Sequence, residues 1–191
     1  MNTPPNCHDD VLSKAQSGDS TAFATIVRTQ QRSVFSLALR MVSDRHKAED
    51  LAQETFLQLH RKLTSIQSAA HLAFWLRQVV MRKAIDALRR EPRNEVELSE
   101  AADQAQEHEH GDVLLGQQLV KLLTQLSADA RAVMLLRYQE DLEPTEIASV
   151  LQMSINTVKS HLKRSLAFLR AHTDGGDRSA TIIPLQGGKV S

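Results

Sequence analysis

Six side chains near the C-terminal end, Asn156, Thr157, Lys159, Ser160, Lys163 and Arg164, fall within nine residues. Amides, hydroxyls and cationic groups are the donors that meet base edges and phosphate oxygens in a major groove. On a helix they lie opposite Ile155, Val158, Leu162, Leu166 and Leu169, which can pack inward. A second basic set stands in FWLRQVVMRKAIDALRR, Phe74 to Arg90: Arg77, Arg82, Lys83, Arg89 and Arg90, with Asp86 among them. Cations so arranged can hold a separated strand by its phosphates, and a neighbouring loop can pocket an extruded base. A third set is acidic and amide-bearing: Ala48, Glu49, Asp50, Leu51, Gln53, Glu54 and Phe56. Carboxylates beside apolar area suit a basic protein surface. The plainer readings stay open here. Each basic helix can be a solvated face, and Leu51 and Ala52 can face the chain's own core.

Catalytic chemistry finds no foothold. Cys7 is the one cysteine and sits in an end that reads as loose, so neither a disulfide nor a multi-cysteine zinc site is expected. His108, Glu109 and His110 form a solvated cluster without a third ligand at fixed spacing. There is no Gly-rich phosphate loop, and nothing arranges Ser, His and Asp as a triad. No catalytic residue, no metal and no cofactor is expected, and the chain does not read as an enzyme.

The elements that must carry these sets are helices. In 191 residues, 41% are hydrophobic and 24% charged, ordinary values for a folded chain of one large or two small domains. Ser20 can cap a helix to about Val42, with Phe23, Val27, Val34 and Leu37 or Ala38 inward. Ser43-Asp44 restarts the chain, and Ala48, Leu51, Ala52, Thr55 and Leu59 line the next helix. Ser68 precedes a third, with Leu72, Leu76, Val80, Ala84 and Leu88 spaced by four; Pro92 stops it. Val113 to Leu126 is amphipathic again. Ser127 caps a helix over Ala130 to Tyr138, Pro144 opens a short one through Leu151, and Ser154 caps the last to about Ala171. EPTEIASVLQMSINTVKSHLKRSLAFLRAH thus fits a helix-turn-helix.

The zero net charge hides a pattern. Residues 1–90 hold 13 basic and 8 acidic side chains, residues 91–112 hold 1 and 8, and residues 113–172 hold 7 and 5. Two neutral-to-basic blocks flank an acidic connector without a usable apolar face. Its 22 residues reach at most roughly 73–79 Å when extended. The longest uncharged apolar-rich stretch, Leu63 to Leu76, is too short to span a bilayer, and MNTPPNCHDD does not read as a signal peptide. A cytoplasmic protein without direct membrane insertion is expected.

Three segments resemble, in order, the regions of the sigma-70 family of RNA polymerase sigma factors. SGDSTAFATIVRTQQRSVFSLALRMVSDRHKAEDLAQETFLQL is similar to regions 2.1–2.2, with DRHKAEDLAQETF as its centre. Phe74 to Arg90 is similar to regions 2.3–2.4, and Leu126 to Arg170 to region 4. The order, spacing and lack of a region 3 resemble the extracytoplasmic-function (ECF) subfamily. The resemblance implies an all-α chain of two small helical domains: 1–90 as region 2, 91–112 as a flexible acidic linker, 113–172 as region 4, and 173–191 as a flexible tail. It implies that Ala48, Glu49, Asp50, Leu51, Gln53, Glu54 and Phe56 dock on the β′ clamp helices of core RNA polymerase. Arg77, Arg82, Lys83, Asp86, Arg89 and Arg90 would face the minus-ten promoter element, with Trp75 a core anchor. Asn156, Thr157, Lys159, Ser160, Lys163 and Arg164 would read the minus-thirty-five element. A surface near Leu123, Leu135 and Leu136 would meet the β flap, and an anti-sigma factor would hold the chain inactive.

Some positions depart from the family pattern. Arg82 stands where Asn is common, Gln152 where the helix-turn-helix connection has Gly, and His60 where an aromatic is common. The C-terminal signature taken alone also resembles LuxR-type output domains. A duplex-binding regulator, or a helical adaptor without DNA, is the rival reading.

Overall fold

Helix ends decide where each functional side chain points, and most of these ends have a capping group. The computed structural model describes residues 7–90 and 112–173; the acidic connector, the His108–His110 cluster and the tail lie outside them. The first helix, α1 (Cys7–Gln16), closes at Gly18. The amide of Gly18 donates to the Ala15 carbonyl and that of Asp19 to Lys14, with Gly18 at a φ of 99° that L side chains rarely adopt. Next is α2 (Ser20–Val42), capped by Asp19, whose carboxylate accepts from the amides of Thr21 and Ala22. The expected cap was Ser20. Asp19 takes the role because its extended backbone leaves the two amides within reach of its oxygen, while Ser20 is already helical.

At the expected Ser43-Asp44 restart, Asp44 caps α3 (Arg45–Lys62) after Ser43 turns the chain with a φ of 57°. The five residues expected to line α3, Ala48, Leu51, Ala52, Thr55 and Leu59, are its buried set. A 3₁₀ turn (Leu63–Ser65) leads to α4 (Ala69–Arg90). Both of these are tied to α1, which the apolar spacing did not announce. The Gln16 side chain donates to the carbonyls of Leu63 and Ile66, and Asp9 accepts the amide of Ala69 at the start of α4. Leu12 and Ala15 are buried, so residues 7–16 are a packed helix and not a loose segment.

The second half comprises α5 (Asp112–Gln125), α6 (Ala128–Tyr138), α7 (Pro144–Leu151) and α8 (Ile155–Thr173). Ser127 caps α6 and Ser154 caps α8, both as expected. Glu143 and Glu146 form a reciprocal capping box around α7, with Pro144 in its first turn. No strand occurs among the described residues. No described helix is long and apolar enough to cross a membrane.

The two halves share one core. It runs from Leu12 through Leu37, Met41 and Met81 to Leu136, Ile147 and Val158, with α6 and α7 seated on α2 and α4. At its centre lies Arg131, only 5% exposed. Its guanidinium donates to the carbonyls of Met41, Leu123 (2.9 Å) and Thr124 (2.6 Å), in the last turns of α2 and α5. Carbonyls in a last turn have no partner within their helix, and the helix dipole makes that end negative. One buried cation thus satisfies a helix end from each half. Among the described residues no buried side-chain polar atom is left without a partner.

Arg131→Met keeps the length of the stem and deletes the donors. A bond from a charged donor is worth ~1.5–3 kcal/mol, so the loss in urea unfolding should be at least ~2 kcal/mol. Arg131→Lys should recover only part, because one ammonium lacks the planar fork that spreads over three carbonyls. Full stability in Arg131→Met would show that apolar packing alone joins the halves.

Candidate nucleic-acid and polymerase surfaces

Three faces emerge from the helices. On α8, Val158, Ser165 and Leu169 are buried and fix the rotation of the helix. That leaves Asn156, Thr157, Lys159, Ser160, Lys163 and Arg164 exposed, with Asn156, Lys159, Ser160, Lys163 and Arg164 following one another at helical spacing. Thr157 is partly engaged: its hydroxyl lies 2.8 Å from that of Ser154, which also accepts the Thr157 amide. The helix-turn-helix connection forms although it lacks glycine. Gln152 adopts a φ of 54°, and the amides of Gln152 and Met153 both donate to the Ala148 carbonyl. Arg137 braces the α6–α7 connection by donating to the Leu142 carbonyl and the Glu143 carboxylate.

On α4 the six predicted residues do not share one face. Arg82, Lys83, Asp86, Arg89 and Arg90 fall within about 120° of arc at 3.6 residues per turn. Arg77 projects from the opposite side into the seam between the halves, where its Nε is 2.5 Å from the Glu140 carboxylate. Within the stripe, Lys83 pairs with Glu54 of α3 at 2.7 Å. Arg89 makes a two-oxygen contact with Asp129 of α6 at 2.8 and 2.9 Å. Arg82 and Arg90 are exposed, with no ion pair among the described residues. Trp75 is half-buried against the core, as expected of an anchor.

On α3, Ala48 and Leu51 are 0% and 9% exposed and belong to the core. They position the helix and offer no free surface. Glu49, Asp50, Gln53 and Glu54 are exposed, Phe56 is half-buried, and Arg45 pairs with Glu49 at 3.0 Å. Leu57 joins this face at 52% exposure. It was not singled out from the sequence, although its place one turn past Gln53 and Glu54, off the buried set, is a usable signal.

The apolar face expected near Leu123, Leu135 and Leu136 is corrected. Leu135 and Leu136 are 2% and 0% exposed, and Leu123 packs on the same core. The second half instead exposes Leu119, Val120, Tyr138 and Ile155. Among the described residues no three His, Cys, Asp or Glu side chains gather as metal ligands.

The chain matches two family models: "Sigma-70 region 2" over residues 26–94 and "Sigma-70, region 4" over residues 116–169. It is 31% identical over 169 residues to the RNA polymerase sigma-E factor of Streptomyces avermitilis, covering 87% of this chain and 93% of that one. It is 27% identical over 173 residues to the ECF RNA polymerase sigma factor SigW of Bacillus subtilis, covering 83% and 92%. Among solved structures it is similar to the sigma factor RpoE of Bartonella quintana, crystallised with the anti-sigma factor NepR. The TM-score is 0.60 at 22% identity, over 81% of this chain and 98% of that one, a likeness of fold.

The turn at Gln152 yields a direct check. A left-handed conformation costs a residue with a Cβ roughly 1–2 kcal/mol, and glycine gives back about 0.5–1 kcal/mol through its greater freedom when unfolded. Gln152→Gly should therefore raise unfolding stability by about 0.5 kcal/mol in urea titrations. A loss of more than ~1 kcal/mol would show that the Gln152 side chain itself holds the turn.

Proposed function

The chain belongs to the sigma-70 family of RNA polymerase sigma factors, in its ECF group, and from this we propose that it directs core polymerase to promoters carrying minus-ten and minus-thirty-five elements. Residues 1–90 act as region 2, residues 113–172 as region 4, and the acidic stretch 91–112 bridges them. It is a transcription initiation factor and not an enzyme; the polymerisation chemistry belongs to its partner.

The observation that carries the reading is the pair of solvent-facing cationic helix faces, one in each family-matched half. The α8 face presents Asn156, Thr157, Lys159, Ser160, Lys163 and Arg164, amide, hydroxyl and cationic groups suited to a major groove. The α4 stripe of Arg82, Lys83, Arg89 and Arg90, with Asp86, suits the phosphates of a separated strand. Arg77, on the opposite side of α4 and paired with Glu140, lies off this stripe. Promoter elements one and a half turns apart are roughly 50 Å distant, at ~34–36 Å per turn, and the connector spans that when extended.

Glu49, Asp50, Gln53 and Glu54, with Phe56 and Leu57, form the face that meets the β′ clamp helices; Ala48 and Leu51 support it from the core. Leu119, Val120 and Tyr138 offer the apolar area for the β flap. An anti-sigma factor controls the chain by covering these faces, in keeping with the complex formed by the RpoE relative. The site of action is the cytoplasm, with the polymerase.

Run-off transcription with purified bacterial core polymerase on the chain's own upstream DNA tests the proposal. A discrete transcript that depends on the protein is expected. No transcript, together with specific duplex binding by the protein alone, would instead favour a duplex-binding regulator. In the same assay Asp50→Arg with Glu54→Arg should abolish both the transcript and co-elution with core polymerase, with the helical circular dichroism unchanged. Retained co-elution would move the docking face elsewhere.

A further inference from the structure

Between α2 and the α6–α7 connection lies a pocket of about 390 Å³ that belongs to none of the promoter or polymerase faces proposed above. Its α2 wall carries Arg32, Ser36 and Arg40 on successive turns, with Ser33 beside them. Its facing wall is Gln139 and Glu140 of the second half. Arg32 and Arg40 are exposed and make no ion pair among the described residues. Glu140 is already engaged by Arg77, so its charge is offset. The two arginines are therefore left without a counter-ion from the pocket's own walls. Eight residues along a helix span ~12 Å, so the cations stand at the two ends of the α2 wall. Between them lie the hydroxyls of Ser33 and Ser36 and the amide of Gln139, which both donate and accept. The volume falls in the range of about 300–1,000 Å³ that small ligands occupy. Among the described residues that line it there is no aromatic ring, so nothing there stacks a nucleobase.

We propose that this pocket binds a small polyol phosphorylated at both ends, of the size and chemistry of a sugar bisphosphate. A guanidinium takes a phosphate through two parallel hydrogen bonds, and Arg32 and Arg40 offer one such fork for each end of the ligand. The hydroxyls in the middle of the ligand meet Ser33, Ser36 and Gln139. Glu140 repels an anion placed against the second-half wall, which keeps the phosphates at the arginines. A ligand with one phosphate leaves one fork unused. The site takes its walls from α2 and from the chain just past α6, so it is complete only in the folded chain with both halves in place. A ligand that binds this state and not the unfolded chain stabilises it.

Isothermal titration calorimetry of the full chain with a hexose bisphosphate tests this. A single saturable site is expected, together with a rise in the thermal unfolding midpoint. A hexose monophosphate should bind about tenfold more weakly or worse, because a charged two-bond contact is lost. Arg32→Ala and Arg40→Ala, both at exposed positions, should each weaken the bisphosphate about tenfold or more with the helical circular dichroism unchanged. Arg28→Ala removes a cation of α2 that lies outside the pocket, where its Nε donates to the Ala24 carbonyl, and should leave the affinity as it is. Absence of saturable binding at millimolar ligand would overturn the proposal. Equal losses in Arg28→Ala, Arg32→Ala and Arg40→Ala would overturn it too, leaving only diffuse attraction of an anion to a basic helix. Equal affinity for the monophosphate and the bisphosphate would rule out a site with two phosphate-binding ends.

Discussion

A buried guanidinium must find acceptors, and the acceptors Arg131 finds set the geometry of everything around it. An ionised group out of water is tolerated only when hydrogen-bonded throughout. Here the bonds go to carbonyls in the last turns of α2 and α5, where helical partners run out. Because α2 lies in one half and α5 in the other, a requirement local to one side chain becomes a constraint between halves. It fixes α6, and α6 in turn fixes what lies at its two ends: Asp129 in its first turn against Arg89, and Glu140 just past its last turn against Arg77. An eleven-residue helix is ~16 Å long, so Asp129 and Arg131 are carried on one rigid rod, with Glu140 two residues beyond its end.

The energies of these contacts differ, and the difference assigns their roles. Exposed ion pairs contribute about 0–1 kcal/mol each. Arg89 and Glu54 are 58% and 60% exposed, so the pairs they make do not hold the fold together. Caps at Asp19, Asp44, Ser127 and Ser154 are worth ~1 kcal/mol each, and the apolar residues of the shared core more than that. Core and caps therefore fix the helix rotations.

Periodicity made some features legible and left others hidden, for a common reason. All five residues expected to line α3 are buried, and the caps at Ser127 and Ser154 are where the sequence puts them. The exposed face of α8 follows from Val158, Ser165 and Leu169 turning inward. Apolar spacing reports which side of a helix is dry but not what dries it. Leu135 and Leu136 read equally well as a docking surface or a core, and the packing of α6 on both halves decided for the core. Arg77 and Arg89 meet carboxylates 63 and 40 residues away, a separation no local pattern encodes. Helix α1 escaped notice because few of its described side chains are apolar and buried, Leu12 and Ala15 among them, while its value lies in Asp9 and Gln16 reaching segments about fifty to sixty residues on.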